Sequence, residues 1–136
     1  MVQQFEISLP PMCRGFHLIT RQISQYLTDL PKCGLLNILI KHTSASLTLN
    51  ENADPSVRDD FEAYFNRLVR ENESYYTHTL EGADDLPAHI KSSLLSFSLN
   101  IPITNHKLNL GTWQGIYLCE FRNHGGSRRI VLTVLG

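Results

Sequence analysis

The sequence lacks the features typical of membrane proteins, of nucleic-acid-binding proteins and of folds held together by disulfides or zinc. Its net charge is −1 and it has no block of lysine and arginine, so it carries no electrostatic footprint for nucleic acid or an anionic membrane. Its three cysteines are an odd number without CxxC spacing, which favours reduced thiols. It has no signal pattern and no apolar run of membrane-spanning length. We therefore expect a cytoplasmic protein without nucleic-acid or membrane partners.

The sequence also lacks the short motifs that identify a known type of catalytic or metal site. It contains no HExxH pair, no closed zinc spacing, no glycine-rich phosphate loop and no aspartate-rich magnesium motif. Any site must therefore be assembled from residues that lie far apart in the chain.

The periodicity of apolar residues predicts an α+β fold in one domain, residues 1–136. Because strands and helices are interspersed without βαβ alternation, we expect a compact α/β sandwich with a mostly antiparallel sheet. Asp54 followed by Pro55 predicts a helix start, and residues 72–87 form the longest irregular piece. The predicted strands are 4–9, 35–40, 44–50, 98–103, 108–110, 116–122 and 127–135, and the predicted helices are 18–30, 54–69 and 86–95.

The glycines in residues 123–126 predict a hairpin turn between the last two strands. A turn centred on residues 124–125 places Glu120 opposite Arg129 and puts Arg122 on the same face. One interpretation is an ion-pair ladder on an exposed surface. The other is a carboxylate held between guanidiniums that remain free to bind a phosphate.

The only tryptophan, Trp113, stands beside Gln114 between two glycines. A flat apolar ring next to an amide suits the wall of a ligand pocket, and we interpret this stretch as the floor of such a pocket. Cys119 alternates with apolar neighbours and is interpreted as a small buried hydrophobe rather than a nucleophile.

Three histidines, His42, His78 and His89, lie beside groups that an acid–base or metal site would use. Asp85 and His89 are four residues apart, hence on one face if the helix has begun by Asp85. Asp85 then either orients His89 or shares a metal with it. We expect at least two of the three histidines to approach each other and Asp84 or Asp85.

Five blocks in the same order resemble the YjbQ family, over essentially the whole chain. They are HTSASLTLNE (42–51), EGADD (81–85), AHIKSS (88–93), LGTWQ (110–114) and GGSRR (125–129). The resemblance implies a compact α/β sandwich assembling as a homotrimer, with sites near subunit boundaries. It also implies a weak, secondary thiamine-phosphate synthase. Such an enzyme joins a hydroxymethylpyrimidine pyrophosphate to a thiazole phosphate and releases pyrophosphate.

The resemblance maps the family's site residues onto His42, His78, His89, Glu120 and the pair Arg128 and Arg129. The spacing around residues 84–89 departs from the family pattern, so either Asp84 or Asp85 corresponds to the family's aspartate. A divalent metal, zinc or magnesium, is implied for the leaving pyrophosphate. The expected catalytic residues are His42, His89, Asp85 and Glu120, the metal ligands are His78, His89, Asp84 and Asp85, and the substrate or phosphate contacts are Trp113, Gln114, Arg122, Arg128, Arg129 and Lys91.

Two other functions fit the same residues. One is a non-catalytic trimeric protein that binds a metabolite, an anion or a metal. The other is a metal-dependent phosphate hydrolase.

Overall fold

Two antiparallel sheets pack face to face in this chain. The computed structural model describes residues 1–136. The elements in chain order are β1 (Val2–Leu9), β2 (Gly15–Leu18), α1 (Thr20–Ser24), β3 (Cys33–Ile40), β4 (Ala45–Glu51), α2 (Pro55–Leu68), α3 (Asp85–Leu94), β5 (Ser98–Thr104), β6 (Lys107–Leu108), β7 (Gln114–Glu120) and β8 (Arg128–Leu135). The larger sheet has the strand order β1-β8-β3-β5-β6, and the smaller has the order β2-β7-β4.

The main core lies between the two sheets. Ile38 and Leu132 of the larger sheet and Leu47 and Leu118 of the smaller sheet are fully buried in it. Strands of the larger sheet alternate buried apolar residues with more accessible ones, which is the pattern of a sheet with one covered face. The predicted α+β sandwich with antiparallel pairing is confirmed.

Helices α2 and α3 cover the other face of the smaller sheet. Phe16, Tyr117 and Phe121 form a second cluster there with Cys119 and Ala88. Strand β7 is therefore buried on both faces, which explains its almost continuous apolar sequence. Cys119 is a buried hydrophobe as predicted, and burial raises the pKa of its thiol.

Helix α2 begins as its sequence predicts. The Asp54 carboxylate accepts a hydrogen bond from the backbone N–H of Ser56 at 2.9 Å, and Pro55 occupies the first helical position. Phe61 and Phe65 of this helix pack against the second cluster, whereas Tyr64 and Leu68 remain exposed. None of the three helices is long and apolar enough to cross a membrane.

The predicted helix over residues 18–30 is wrong. Leu18 ends strand β2 and pairs with Tyr117 of β7, and only Thr20–Ser24 is helical. The Thr20 hydroxyl accepts a hydrogen bond from the Ile116 backbone N–H, while the Ile19 N–H donates to the Ile116 carbonyl. These bonds to β7 outweigh the helical spacing of the apolar residues, since local propensity is a weak determinant.

The predicted hairpin between the last two strands is also wrong. Strand β7 lies in the smaller sheet, whereas β8 lies between β1 and β3 in the larger one. There β1 and β3 occupy the two edges of β8, so neither edge is left to pair with β7. Residues 121–127 carry the chain from one sheet to the other. Gly125 is required by close approach, because a Cβ there would collide with the side chains of Glu120 and Arg128.

The crossing places Glu120 against Arg128 rather than Arg129. The Arg128 Nε and Nη2 atoms donate to the two carboxylate oxygens at 2.8 and 2.6 Å, and both side chains are buried. Arg128 Nη2 also donates to the Ser44 hydroxyl at 3.0 Å. A buried, bidentate ion pair thus joins the two sheets and the turn between β3 and β4.

We predict that Arg128→Met destabilises the fold by about 3–5 kcal/mol, because it leaves Glu120 buried and unpaired. Arg129→Met is the matched control, since the exposed guanidinium of Arg129 makes only a 3.9 Å contact with Glu6. Its free energy of unfolding should change by no more than about 0.5 kcal/mol. Urea unfolding measures both values. Adding Glu120→Leu to Arg128→Met should recover part of the loss, and equal stabilities of the two single variants would contradict the prediction.

Candidate functional site

Three side chains converge where the long loop meets the first turns of α3. The potential ligand atoms of His78, Asp85 and His89 all lie within 4.8 Å of one another. Asp85 Oδ2 is 2.7 Å from His78 Nε2 and 3.2 Å from His89 Nε2. The expected approach of two histidines to an aspartate is confirmed, and that aspartate is Asp85. We call these three residues the His–Asp–His cluster.

The carboxylate of the cluster is buried and its imidazoles form the accessible rim. Asp85 is 1% exposed, whereas the side chains of His78 and His89 are 48% and 34% exposed. Because α3 begins at Asp85, the one-turn spacing to His89 places both side chains on one face. A ligand therefore reaches the cluster from the imidazole side.

The orientation of His89 is fixed by the backbone of the turn between β3 and β4. His89 Nδ1 lies 2.9 Å from the carbonyl oxygen of Thr43. A carbonyl only accepts, so Nδ1 of His89 carries a proton and donates it to Thr43, which leaves Nε2 as the ring nitrogen that faces Asp85. This arrangement is the one that orients imidazole ligands in metal sites.

The second oxygen of Asp85 is held by Arg122. Arg122 Nη1 donates to Asp85 Oδ1 at 2.6 Å, while Nε donates to Asp84 Oδ2 at 3.0 Å and Nη2 to the Glu81 carbonyl at 3.0 Å. The backbone N–H of Asn123 also donates to Asp84. Asp84 therefore positions Arg122 and lies outside the His–Asp–His cluster. Of the two aspartates, only Asp85 contacts the histidines.

These contacts decide the charge state of Asp85. Burial is the largest influence and opposes ionisation, but the hydrogen bond with His78 and the charge of Arg122 outweigh it and lower the pKa of Asp85. The pKa of Asp84 is lowered in the same way, against its own burial, by bonds from Asn123 and Arg122. At neutral pH both groups are carboxylates, and Oδ2 of Asp85 is available to a cation.

His42 lies outside the cluster and is neutral at physiological pH. Burial and the charge of Arg128 lower its pKa, and its Nε2 accepts a hydrogen bond from the Arg129 backbone N–H at 2.8 Å. His42 belongs to the same turn as Thr43, which holds His89, and Ser44, which binds Arg128. This turn links the cluster to the buried ion pair.

The arginines predicted to bind phosphate have different environments. Arg122 and Arg128 are committed to carboxylates of the chain itself, Arg122 to Asp84 and Asp85 and Arg128 to Glu120. Arg129 alone of the three presents a largely exposed guanidinium. The shared face that the hairpin register predicted for Glu120, Arg122 and Arg129 does not exist.

Lys91 was predicted as a phosphate contact, but its side chain is buried between the helices. Its Nζ donates to Asn66 Oδ1 at 2.6 Å and lies 5.7 Å from the centre of the Phe121 ring. Arg14 donates to the same amide oxygen and pairs with Glu71. Burial lowers the pKa of Lys91, and the charge of Arg14 adds to that effect.

The structure does not bring Trp113 and Gln114 to the cluster. Gln114 begins β7 and Trp113 precedes it, whereas Glu120 ends the strand, six residues and roughly 20 Å from Gln114. Trp113 is 65% exposed, and the Gln114 amide oxygen accepts from the Gly111 backbone N–H. The expectation of a pocket floor formed by this stretch with the charged residues of β7 is therefore wrong within one chain.

Sequence reasoning missed the contacts made by backbone atoms and by residues far apart in the chain. The Thr43 carbonyl that orients His89 and the Glu81 carbonyl that binds Arg122 carry no side-chain signal. Arg14 and Asn66, which enclose Lys91, had no motif around them. The one available signal was the position of Lys91 on the apolar face of a predicted helix, where a lysine needs a polar partner.

We predict that Arg122→Gln lowers the free energy of unfolding at pH 7 by roughly 1–3 kcal/mol, because a buried carboxylate loses its charged donor. The lowered pKa values of Asp84 and Asp85 give stability that is present above about pH 4. This stability is lost as the pH falls through the folded-state values. The deficit of the variant should therefore shrink in acid.

Urea unfolding of both proteins from pH 7 down to pH 3 checks this prediction. Arg129→Gln removes an exposed guanidinium from the neighbouring strand and serves as control. A deficit of the same size at pH 3 and pH 7 would show that Arg122 stabilises the fold by packing and not by charge.

Comparison with known proteins identifies the family. Residues 5–136 match the family model described as UPF0047 protein YjbQ-like. The chain is 53% identical over 138 residues to the UPF0047 protein YjbQ of Escherichia coli O157:H7, covering 100% of this chain and 99% of that protein. It is 39% identical over 104 residues to the UPF0047 protein YugU of Bacillus subtilis, covering 76% of each.

Solved structures share the fold. A YbjQ-like protein from Sulfolobus solfataricus superimposes with a TM-score of 0.87 at 24% identity, covering 100% of this chain and 98% of that one. A protein of the yjbq/upf0047 family from Clostridium acetobutylicum gives a TM-score of 0.81 at 34% identity, covering 96% of this chain and 99% of that one. The resemblance carried by the five sequence blocks is confirmed, and the chain belongs to the YjbQ/UPF0047 family.

Proposed function

We propose that the His–Asp–His cluster binds a divalent metal ion at the centre of an enzymatic site for phosphorylated small molecules. The observation that carries this proposal is the convergence of two imidazole nitrogens and one carboxylate oxygen within 4.8 Å. In a tetrahedral zinc site with bonds of about 2.0–2.1 Å, ligand atoms lie about 3.3 Å apart. The separations from Asp85 Oδ2, 2.7 and 3.2 Å, are close to that value, and metal binding would displace the His78 Nε2 proton that bonds Asp85.

The chemistry of the three ligands favours zinc over magnesium. Magnesium prefers an octahedral shell of oxygen atoms, whereas imidazole nitrogen is a common zinc ligand. Three protein ligands leave a coordination position open, which is the arrangement of catalytic rather than structural zinc sites. The hydrogen bond from His89 to Thr43 and the ion pair between Asp85 and Arg122 supply the supporting contacts that such ligands need.

We predict that the protein binds about one zinc ion per chain and that His89→Ala, His78→Ala and Asp85→Asn each abolish stoichiometric binding. Loss of a supporting contact typically weakens metal binding by about 10–100-fold, and loss of a ligand should weaken it by more. Metal analysis by mass spectrometry after zinc loading and dialysis, together with calorimetric titration, measures the effect.

His124→Ala is the matched control for these variants, because His124 is exposed and takes no part in the cluster. It should bind zinc as tightly as the unchanged protein. Absence of metal after loading with zinc, magnesium and manganese in turn, or equal loss in His124→Ala, would contradict the metal site.

For the reaction itself we propose the weak thiamine-phosphate synthase activity that the resemblance of the five sequence blocks suggested. A divalent metal, when bound, supplies positive charge for a pyrophosphate leaving group. Asp85 and Arg122 hold the ligand geometry, neutral His42 offers its Nδ1–H as a hydrogen-bond donor in the turn that orients His89, and exposed Arg129 offers a guanidinium to a phosphate.

The commitment of the other arginines supports a low rate. Efficient phosphoryl and pyrophosphoryl chemistry relies on several free cations around the transferred group. Here Arg122 and Arg128 already neutralise carboxylates of the chain, and Lys91 is buried against Asn66. On this proposal the metal and Arg129 supply the remaining positive charge, which suits a secondary activity.

A phosphate hydrolase is the second candidate, and the open coordination position favours it. Zinc held by three protein ligands commonly activates a water molecule for hydrolysis. A protein that binds a metal and an anion without turnover is the third. The homotrimer with sites near subunit boundaries stays a proposal from the family resemblance, supported by the exposed apolar side chains of Tyr64, Phe97 and Trp113.

We predict that the zinc-loaded protein forms thiamine phosphate from the pyrimidine pyrophosphate and the thiazole phosphate, and that Asp85→Asn removes this activity. Arg129→Met should raise the KM for the phosphorylated substrates with a smaller effect on kcat, because it contacts a phosphate and no reacting atom. Chromatographic detection of the product measures both parameters, with His124→Ala as control.

Other outcomes of this assay separate the alternatives. Phosphate release from 4-nitrophenyl phosphate without thiamine phosphate would replace the synthase by the hydrolase. Tight binding of metal and pyrophosphate without any product would contradict an enzyme and favour the binding protein.

A further inference from the structure

A small cavity of about 110 Å³ lies beside the His–Asp–His cluster, between the long loop and the first turn of α3. His78 belongs to both the cluster and the cavity wall. Tyr76 and Leu86 give the cavity apolar surface, while Asn72, Glu73 and Thr79 give it polar groups. A molecule that fills the cavity therefore touches the imidazole that faces Asp85.

The loop holds this wall in place before any ligand arrives. The Tyr76 hydroxyl donates to the Arg70 carbonyl at 2.7 Å, and its backbone N–H donates to the Glu73 carbonyl. Its ring also packs edge-on against Tyr75. Asn72 adopts a left-handed conformation with φ 60°, a conformation that asparagine tolerates better than most residues and that turns the chain into the wall. The cavity is thus a built feature of the loop.

The size and lining of the cavity define the ligand group that fits it. An apolar cavity of about 150 Å³ holds a benzene molecule, so this one is matched to a single five- or six-membered ring. The carboxylate of Glu73 pairs with no side chain of the fold and accepts hydrogen bonds, as does the Asn72 amide oxygen. A flat ring with N–H donors satisfies these acceptors, whereas a hydrocarbon ring leaves them unpaired.

We propose that this cavity is the subsite for a small, flat, nitrogen-bearing ring of the substrate, placed so that the group attached to the ring lies at the His–Asp–His cluster. This inference rests on the proposed function, because the cluster is taken as the reacting centre. It also assigns the ring-binding role to Tyr76 and Leu86 and not to Trp113, which lies at the far end of β7 from Glu120.

Titration with 4-aminopyrimidine, followed by NMR, tests the subsite on the full chain. We expect the resonances of Tyr76 and His78 to shift, and toluene to bind more weakly. Thr79→Phe fills the cavity and should weaken 4-aminopyrimidine binding by at least about tenfold. Thr77→Phe is the matched control, because Thr77 is an exposed residue of the same loop that does not line the cavity. It should bind like the unchanged protein.

If Thr79→Phe does not fold, Ala83→Leu replaces it, since Ala83 is also exposed and lines the cavity. Equal binding by the filled and control variants, tighter binding of toluene, or no shift of Tyr76 and His78 at millimolar probe would overturn the subsite.

Zinc content measured on the same samples separates this inference from the proposed function. Thr79→Phe leaves all three metal ligands in place, so it should keep its zinc. Zinc binding without probe binding would overturn the subsite alone. Probe binding that is lost in Thr79→Phe, in a protein that takes up no zinc, would support the subsite and overturn the metal centre.

Discussion

The site is organised around one buried carboxylate, that of Asp85, whose two oxygens have different partners. Oδ1 is bound by Arg122, and Oδ2 faces the Nε2 atoms of His78 and His89. A carboxylate this deeply buried remains charged only because Arg122 and His78 offset its desolvation. The same contacts hold the long loop and the end of β7 against α3. The geometry of the site is therefore also a condition of the local fold.

A second buried ion pair decides how distant parts of the chain meet this carboxylate. Glu120 and Arg128 lie on consecutive strands of different sheets, and their pairing fixes the crossing between them. Arg128 also binds Ser44, next to the Thr43 carbonyl that orients His89. The two charged centres thus share one turn of backbone. A change that breaks the buried pair should reach the cluster through that turn.

Features of this fold that depend on residues close together in the sequence could be predicted, whereas those that depend on long-range pairing could not. Alternation of apolar residues and short apolar runs located every strand except β2, and the four-residue spacing of Asp85 and His89 located two members of the cluster. The pairing of the last two strands was predicted wrongly, because their adjacency in sequence was taken as evidence of pairing. Strand β8 instead pairs with β1 and β3 in the other sheet. The arginines were interpreted as free for phosphate because their carboxylate partners lie 8 to 38 residues away. Long-range pairing of charges leaves no periodic trace in the sequence.

On the proposed function, the charges around the cluster would set the order in which a metal and a phosphorylated ligand bind. Asp84 and Asp85 contribute two negative charges and Arg122 one positive charge, so these three side chains together carry one net negative charge. Such a site attracts a cation and repels a phosphate. A divalent ion would reverse the sign to one net positive charge, and a phosphorylated ligand would then be attracted. On the proposed function, an anion therefore binds only after the metal, because the charge of Arg122 is already neutralised by Asp84 and Asp85.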